Sequence, residues 1–426
     1  MYDVAGRELE RLSLGASENP GRFIGEFSGL QLRTSYSVAA FILQGEQERI
    51  APRIEFQTLD PDITSFSPNN GPAGTVVQIV GRNLTADTRV FFGEREAEVL
   101  SLRFESLLSV RVPPAGEQPE VPIRIVAQGE ERQLEALFRY PRGRFEEVNT
   151  LSNTLRLANG NYFQRGTQFF YLNGANRNTF FIENHFRYDG AGGGEWISGD
   201  LLPERPLWMA FQTENYLGGG SATLSRAPFT PAFDFYQITE TGSLQPLASL
   251  PFIAVQALAF ELNGRLYVCG GNTGLSQREV HRYTPETGSW VRLQNAPFDL
   301  HGGLFHFVFE GSAYVIREDN RSLVRFDAAA EDWIAEDIFP GELGGGFGFA
   351  KVQEGRVLLG LANRSRQVWE YFPKEKNWVR ARDFSGAVNA LNVGVYQLNN
   401  SIYLLRSPEV QIPGAVTLWE LDPNGF

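Results

Sequence analysis

The chain has one cysteine, Cys269, so no internal disulfide can staple it. We expect Cys269 to be a small buried filler in a strand, because no His or acid stands near it in sequence to make it a nucleophile. Only four histidines occur. His301 and His306 are five residues apart, which on a strand puts them on opposite faces and suits no shared metal. His185 and His281 precede Tyr188 and Tyr283 by three and two residues, equivalent places in two repeats that suggest a structural role. Lysine is confined to positions 351, 374 and 376, so nearly every cation is an arginine. There is no apolar run of eighteen residues, and the opening "MYDVAGRELERL" does not read as a signal peptide.

Catalytic signatures are also missing. No Walker-type phosphate loop, HExxH, clustered Cys/His spacing or GxSxG elbow is present. The glycine-rich "GAGGG" (190–194) and "GELGGGFG" (341–348) fall at expected strand turns with no following helix to offer its N-terminus to a phosphate. No catalytic residue, metal site or cofactor is therefore expected. An excess of 50 acidic over 38 basic residues, a net charge of −12, argues against a nucleic-acid partner.

What the chain does have is glycine, aromatics and a rhythm. "YTPETGSW" (283–290) leads to Ala296-Pro297, "FDAAAEDW" (326–333) to Phe339-Pro340, and "YFPKEKNW" (371–378) to Phe384-Ser385. Weaker copies start at Tyr188 and Tyr236. The anchors Trp196, Leu244, Trp290, Trp333 and Trp378 recur every 43 to 48 residues, a period that marks a repeat architecture. Each unit reads as short strands broken by Gly, Asn and Pro turns, as in "GRLYVCGG", "REVHRY" and "WVRL".

The aromatic-to-Trp spacing and the Gly270-Gly271 pair after "LYVC" resemble the kelch repeat, which implies four-stranded propeller blades. Only the unit around Gly270 keeps the double glycine, the others reading "VIRED", "LLGLAN" and "YLLRSP". The ends of the array are complementary: "RFEEVNTLS" begins with the register of an outermost strand, and "LDPNGF" begins a hairpin that stops before any Trp. We expect Phe145 to take the missing Trp position, with strand 144–148 completing the sheet begun at 386–426. That closes a ring of six blades over 142–426 and removes two open sheet edges.

Ahead of the ring, "ITSFSPNNGPAGTVVQIVGRNL", with "VFFG" (90–93) and "VRVPP" (110–114), resembles the immunoglobulin-like TIG (IPT) domain over residues 61–141. Residues 1–60, with "FSGLQLRTSYSVAAFI" and "IEFQTLDP", resemble the last strands of a fibronectin type III domain, of which the first strands are absent. The expected fold is all-β: two N-terminal immunoglobulin-like sandwich modules, the first incomplete, then a six-bladed kelch-like propeller closed by strands from its two ends.

Such modules in series resemble secreted or lipid-anchored surface proteins of the Bacteroidota, some from polysaccharide-uptake systems. The resemblance implies a non-enzymatic binding protein, extracellular or attached to the outer membrane through a lipid anchor outside the given residues. Its partner would be a glycan or a surface protein, including an outer-membrane transporter complex. The alternative is a propeller enzyme of mutarotase, lyase or hydrolase type acting on a carbohydrate. Copper oxidases that also join a kelch propeller to immunoglobulin-like domains need a Cys–Tyr crosslink and a His-rich ligand set that has no counterpart here.

Blade loops between second and third strands gather on one face. Here they read "NGANRN" (173–178), "SQRE" (276–279), "REDNRS" (317–322), "LANRSR" (361–366) and "LRSPE" (405–409). This predicts a locally basic mouth of Arg177, Arg278, Arg317, Arg321, Arg364 and Arg366 suited to carboxylate or sulfate groups, with Trp208 in "ERPLWM" as a stacking platform for a sugar ring. The plainer alternative is that these are solvated turns in a protein whose cations are nearly all Arg.

Overall fold

The computed structural model describes residues 1–15, 23–152, 156–174, 182–192, 195–199, 207–223, 230–271, 277–343, 348–362, 364–409 and 412–426. Among them every regular element is a strand. They form two compact units, one of Met1–Pro141 with Phe426 and one of Arg142–Gly425.

In the first unit, seven strands are hydrogen-bonded in the order Glu130–Arg139, Glu120–Ala127, Arg89–Phe92, Arg95–Arg103, Leu107–Arg111, Val76–Arg82, Asp62–Ser67. Alternation explains the core: Val77 and Ile79 from one strand and Val121, Ile123, Ile125 and Ala127 from another are buried while their neighbours face outward. These side chains meet in a single cluster with Phe92, Phe138 and Tyr140. Before Asp62 the chain makes two separate pairs, Ser35–Val38 with Ile54–Gln57 and Phe41–Gln44 with Gln47–Ile50. Of their apolar residues Tyr36 is buried and stacks on Phe56, whereas Ile42, Leu43, Ile50 and Ile54 stay exposed.

The second unit is a ring of six four-stranded antiparallel sheets. Five blades are sequential hairpins whose inner strands are Asn161–Arg165, Phe211–Gln212, Leu258–Leu262, His306–Phe309 and Phe349–Gln353. The sixth takes Ala390–Leu398, Ser401–Pro408 and Val416–Asp422 from one end of the unit and Arg144–Ser152 from the other. Phe145 lies opposite Leu421, the register in which Trp290 faces Tyr283, Trp333 faces Phe326 and Trp378 faces Tyr371. The aromatic rhythm therefore did mark the closing strand.

A repeated contact joins the blades. In blades 3 to 6 the outer anchor packs edge-on or tilted against the phenylalanine that leaves the preceding blade: Trp290 on Phe252 at 4.9 Å, Trp333 on Phe298 at 5.3 Å, Trp378 on Phe339 at 5.1 Å, Phe145 on Phe384 at 5.0 Å. Such geometry adds to simple area burial.

One sequence expectation needs correction. The double glycine recurs in blade 2, as Gly219-Gly220. The Gly220 amide donates to the Ala254 carbonyl at 2.8 Å just as that of Gly271 donates to Leu300 at 2.9 Å. Gly219 and Gly270 both have φ near +65°, and a Cβ on either would collide with the carbonyl of Ala254 or Leu300. The requirement is therefore steric, and both blades meet it.

Candidate functional site

In an antiparallel blade the second-to-third and fourth-to-first connections emerge on the same face of the ring. That face carries Arg278, Arg317, Arg321, Arg364 and Arg366 of the predicted arginines. Arg278 donates from Nε to Asp299 at 2.6 Å. Arg317 donates from Nε to Asp319 at 3.0 Å and lies over the Phe298 ring at 4.7 Å. Arg364 reaches the next blade, its Nη2 donating to Glu409 at 2.8 Å. Arg321 closes a turn with φ +62°, its amide donating to the Arg317 carbonyl. It lines an open depression of about 540 Å³ with Glu318, Asp319, Asn320 and Glu342. Arg366 is exposed and accepts from the Phe384 amide through its carbonyl. Arg177 lies outside the described residues.

Two expectations change. The face is not a plain basic rim, because Asp299, Asp319 and Glu409 each hold one of its arginines. It is a mosaic of forked donors and carboxylate acceptors. Trp208 is only 2% exposed, its main chain paired with Ser221, so it offers no open ring face to a sugar. Its position extends the inner strand of blade 2, and that register buries it.

Arg406, at the end of a second strand on the same side, is 3% exposed. It donates to Asn392 Oδ1 at 2.6 Å and to the carbonyls of Ala387 and Ala390, and stacks over Phe384. Burial lowers its pKa to about 10. It braces the entry to blade 6 rather than facing a ligand. His281 is structural as expected, stacked on Phe252 at 3.7 Å. Cys269 is buried in the core, which pushes its thiol pKa up.

Sequence reasoning missed the centre of the ring. Aligning the inner strands by their hairpins places Gln164, Gln212, Glu261, Val308, Val352 and Gln397 at one level. Four of these latch the neighbouring blade. Gln212 accepts from the Tyr162 amide at 2.7 Å, Gln164 donates to the Gln397 carbonyl at 2.7 Å, Gln397 donates to the Val352 carbonyl at 3.1 Å, and Glu261 accepts from the Asn215 amide at 3.0 Å. Blades 4 and 5 have valine instead.

One residue earlier along the strands stand Phe163, Phe211, Phe260, Phe307 and Tyr396, all buried, and in blade 5 Lys351. Lys351 is half-buried; desolvation lowers its pKa, partly offset by the Glu214 carboxylate. His306 on the adjacent inner strand shares a hydrogen bond between Nδ1 and the Leu304 carbonyl at 3.1 Å. Its pKa is lowered by burial, raised somewhat by that bond, and lowered by Lys351. The signal was in the sequence: a lysine where five sister repeats have an aromatic.

Two protein-family models agree with this architecture. The IPT/TIG domain model matches residues 61–140 and the Kelch motif model matches residues 255–297. N-acetylneuraminate epimerases of Escherichia coli strain K12 and Shigella flexneri serotype 5b are each 39% identical over 84 residues, covering 18% of this chain and 22% of theirs. The likeness thus spans about a fifth of those relatives. Among solved structures, that titled "Structure of YjhT" is 22% identical with a TM-score of 0.39, covering 48% of this chain and 74% of its own. A structural-genomics protein of unknown function from Bacteroides thetaiotaomicron is 11% identical with a TM-score of 0.42, covering 84% and 97%. The chain joins an IPT/TIG domain to a six-bladed β-propeller of kelch type.

Proposed function

We propose that this chain is a binding protein of the cell surface, in which the immunoglobulin-like part carries a propeller that holds a glycan or a surface protein. The observation that carries the reading is the mosaic face, where Arg278, Arg317, Arg321, Arg364 and Arg366 stand among Asp299, Glu318, Asp319, Glu342 and Glu409. Forked donors beside carboxylate acceptors match the paired hydroxyls of a sugar or the charged groups of a protein better than they match a uniformly acidic polymer. Attachment to an outer membrane through a lipid anchor, and service to a polysaccharide transporter, belong to the same proposal.

The test is a polysaccharide array probed with the full chain. Saturable retention of one glycan class is expected, weakened at least tenfold by Arg317→Ala together with Arg364→Ala without a change in melting temperature. Retention that survives the double substitution would remove this face, and failure to retain any glycan would leave only the protein-partner form of the proposal, checked by pull-down of an outer-membrane transporter with the full chain.

A second reading, a propeller enzyme acting on a carbohydrate, is favoured by the 84-residue likeness to N-acetylneuraminate epimerase. NMR of freshly dissolved N-acetylneuraminate decides it: acceleration of its anomeric equilibration by catalytic amounts of the chain supports the enzyme, and an unchanged rate rejects that substrate.

A further inference from the structure

We propose that the centre of the ring, beside the inner strands of blades 4 and 5, is a binding site for a small monoanion such as a carboxylate, held by Lys351. This site is separate from the mosaic face and does not depend on what that face binds.

Register is the first argument. Five of six inner strands place a buried aromatic at this level, where it packs into the blade-to-blade core: Phe163, Phe211, Phe260, Phe307 and Tyr396. An aliphatic or aromatic residue would satisfy blade 5 equally well on packing grounds. A lysine there takes an ammonium partly out of water, so packing alone does not account for it.

The second argument is the missing counter-charge. Lys374 and Lys376 each have a carboxylate partner, Glu310 at 2.7 Å and Glu336 at 2.8 Å. Among the described residues Lys351 has neither a hydrogen bond nor an ion pair, and the carboxylate that acts on it, Glu214, belongs to blade 2 on the far side of the six-membered ring. Breaking or omitting one partner of a desolvated pair is costly, and an anion from solution would supply what the chain does not.

Access is the third argument. At the level where Gln212, Gln164, Gln397 and Glu261 reach a neighbouring blade, blades 4 and 5 carry valine, which has no polar group to span the gap. Blade 5 is still tied to blade 6 by Gln397 on the Val352 carbonyl and by Gln353 on the Asn400 carbonyl. Val308 is 37% exposed although it sits on an inner strand, and His306, Ala350, Lys351 and Val352 are all partly exposed. The inner edges of these two blades therefore border solvent. His306 stands near enough to feel the charge of Lys351, and its Nε2 has no protein partner among the described residues, Nδ1 being engaged by Leu304. The site offers a single ammonium as its fixed positive charge, with the imidazole nitrogen a neutral partner, so it can balance one negative charge and not two.

The scarcity of lysine makes a direct test possible. Reductive methylation with ¹³C-formaldehyde labels Lys351, Lys374, Lys376 and the N-terminal amine and keeps their charge. Titration of the full chain with acetate and with glucuronate should shift the Lys351 signal saturably while Lys374 and Lys376 stay still; glucose should shift none. A linear drift shared by all three lysines would overturn the proposal. Lys351→Met should raise the dissociation constant at least tenfold in calorimetry while leaving the melting temperature unchanged or higher. Saturable binding that persists undiminished in that folded variant would also overturn it. Should Lys351→Met fail to fold, the titration of the unsubstituted chain still decides, with His306→Gln expected to weaken binding severalfold.

Discussion

His281 is buried against Phe252 with 7% exposure. Burial and the Arg292 guanidinium hold its pKa down at about 4. Glu279 lies 3.9 Å from its Nε2 but is claimed at 3.0 Å by Arg292, so it does not reverse the sign. The unfolded chain takes up the proton near pH 6.5 and the folded chain only near pH 4. Stability from this group is therefore full above about pH 6.5 and is lost as pH falls between those values, by up to ~3 kcal/mol. Urea melts of the full chain between pH 7 and 5 should show this slope, with some contribution from His306, and His281→Phe should flatten part of it; an unchanged slope would refute the assignment. At the same scale, Trp290→Ala, Trp333→Ala and Trp378→Ala should each cost about 3 kcal/mol by removing the anchor between blades, measured by chemical denaturation. Phe145→Ala should behave as a member of that series if it truly replaces the fourth tryptophan. These anchors were legible because a bulky ring at a fixed interval survives drift. The residues at the axis were not, since a single Lys or Val among aromatics has meaning only after six strands are aligned by their hairpins.

At the scale of elements, the strand Arg144–Ser152 does the most for its length. It pairs with Val416–Asp422 from Arg144↔Asp422 to Ser152↔Val416, and Phe145 adds the contact to Phe384. Deleting 144–151 should expose the edge of blade 6 and lower the propeller's melting temperature by at least 10 °C, followed by circular dichroism. A propeller transition that does not move would contradict closure. The sequence made this strand visible through the complementarity of the two ends of the array. It hid the second double glycine, because Gly219 follows a second strand of three residues, Tyr216–Gly218, paired with an inner strand of two, Phe211–Gln212, both too short to show a period of their own. It also suggested a basic rim, since one-dimensional reading sees Arg317 and Arg364 but not that Asp319 and Glu409 fold back onto them.

At the scale of the whole molecule, two units with separate cores should unfold in separable steps. Calorimetry of the full chain should resolve two transitions, and removal of residues 1–60 should leave the propeller transition in place; a single transition that shifts on that truncation would refute independence. The closed sixth blade also sets a timetable for biosynthesis. Ser152 waits for Val416, 264 positions later, which at about 5–20 residues per second is on the order of 10–50 s. During that interval the immunoglobulin-like unit can already have folded while the outermost propeller strand has no neighbour. A polypeptide released before residue 416 lacks the strand that Arg144–Ser152 needs and is left with an open sheet edge, the feature that invites wrong pairing with other chains.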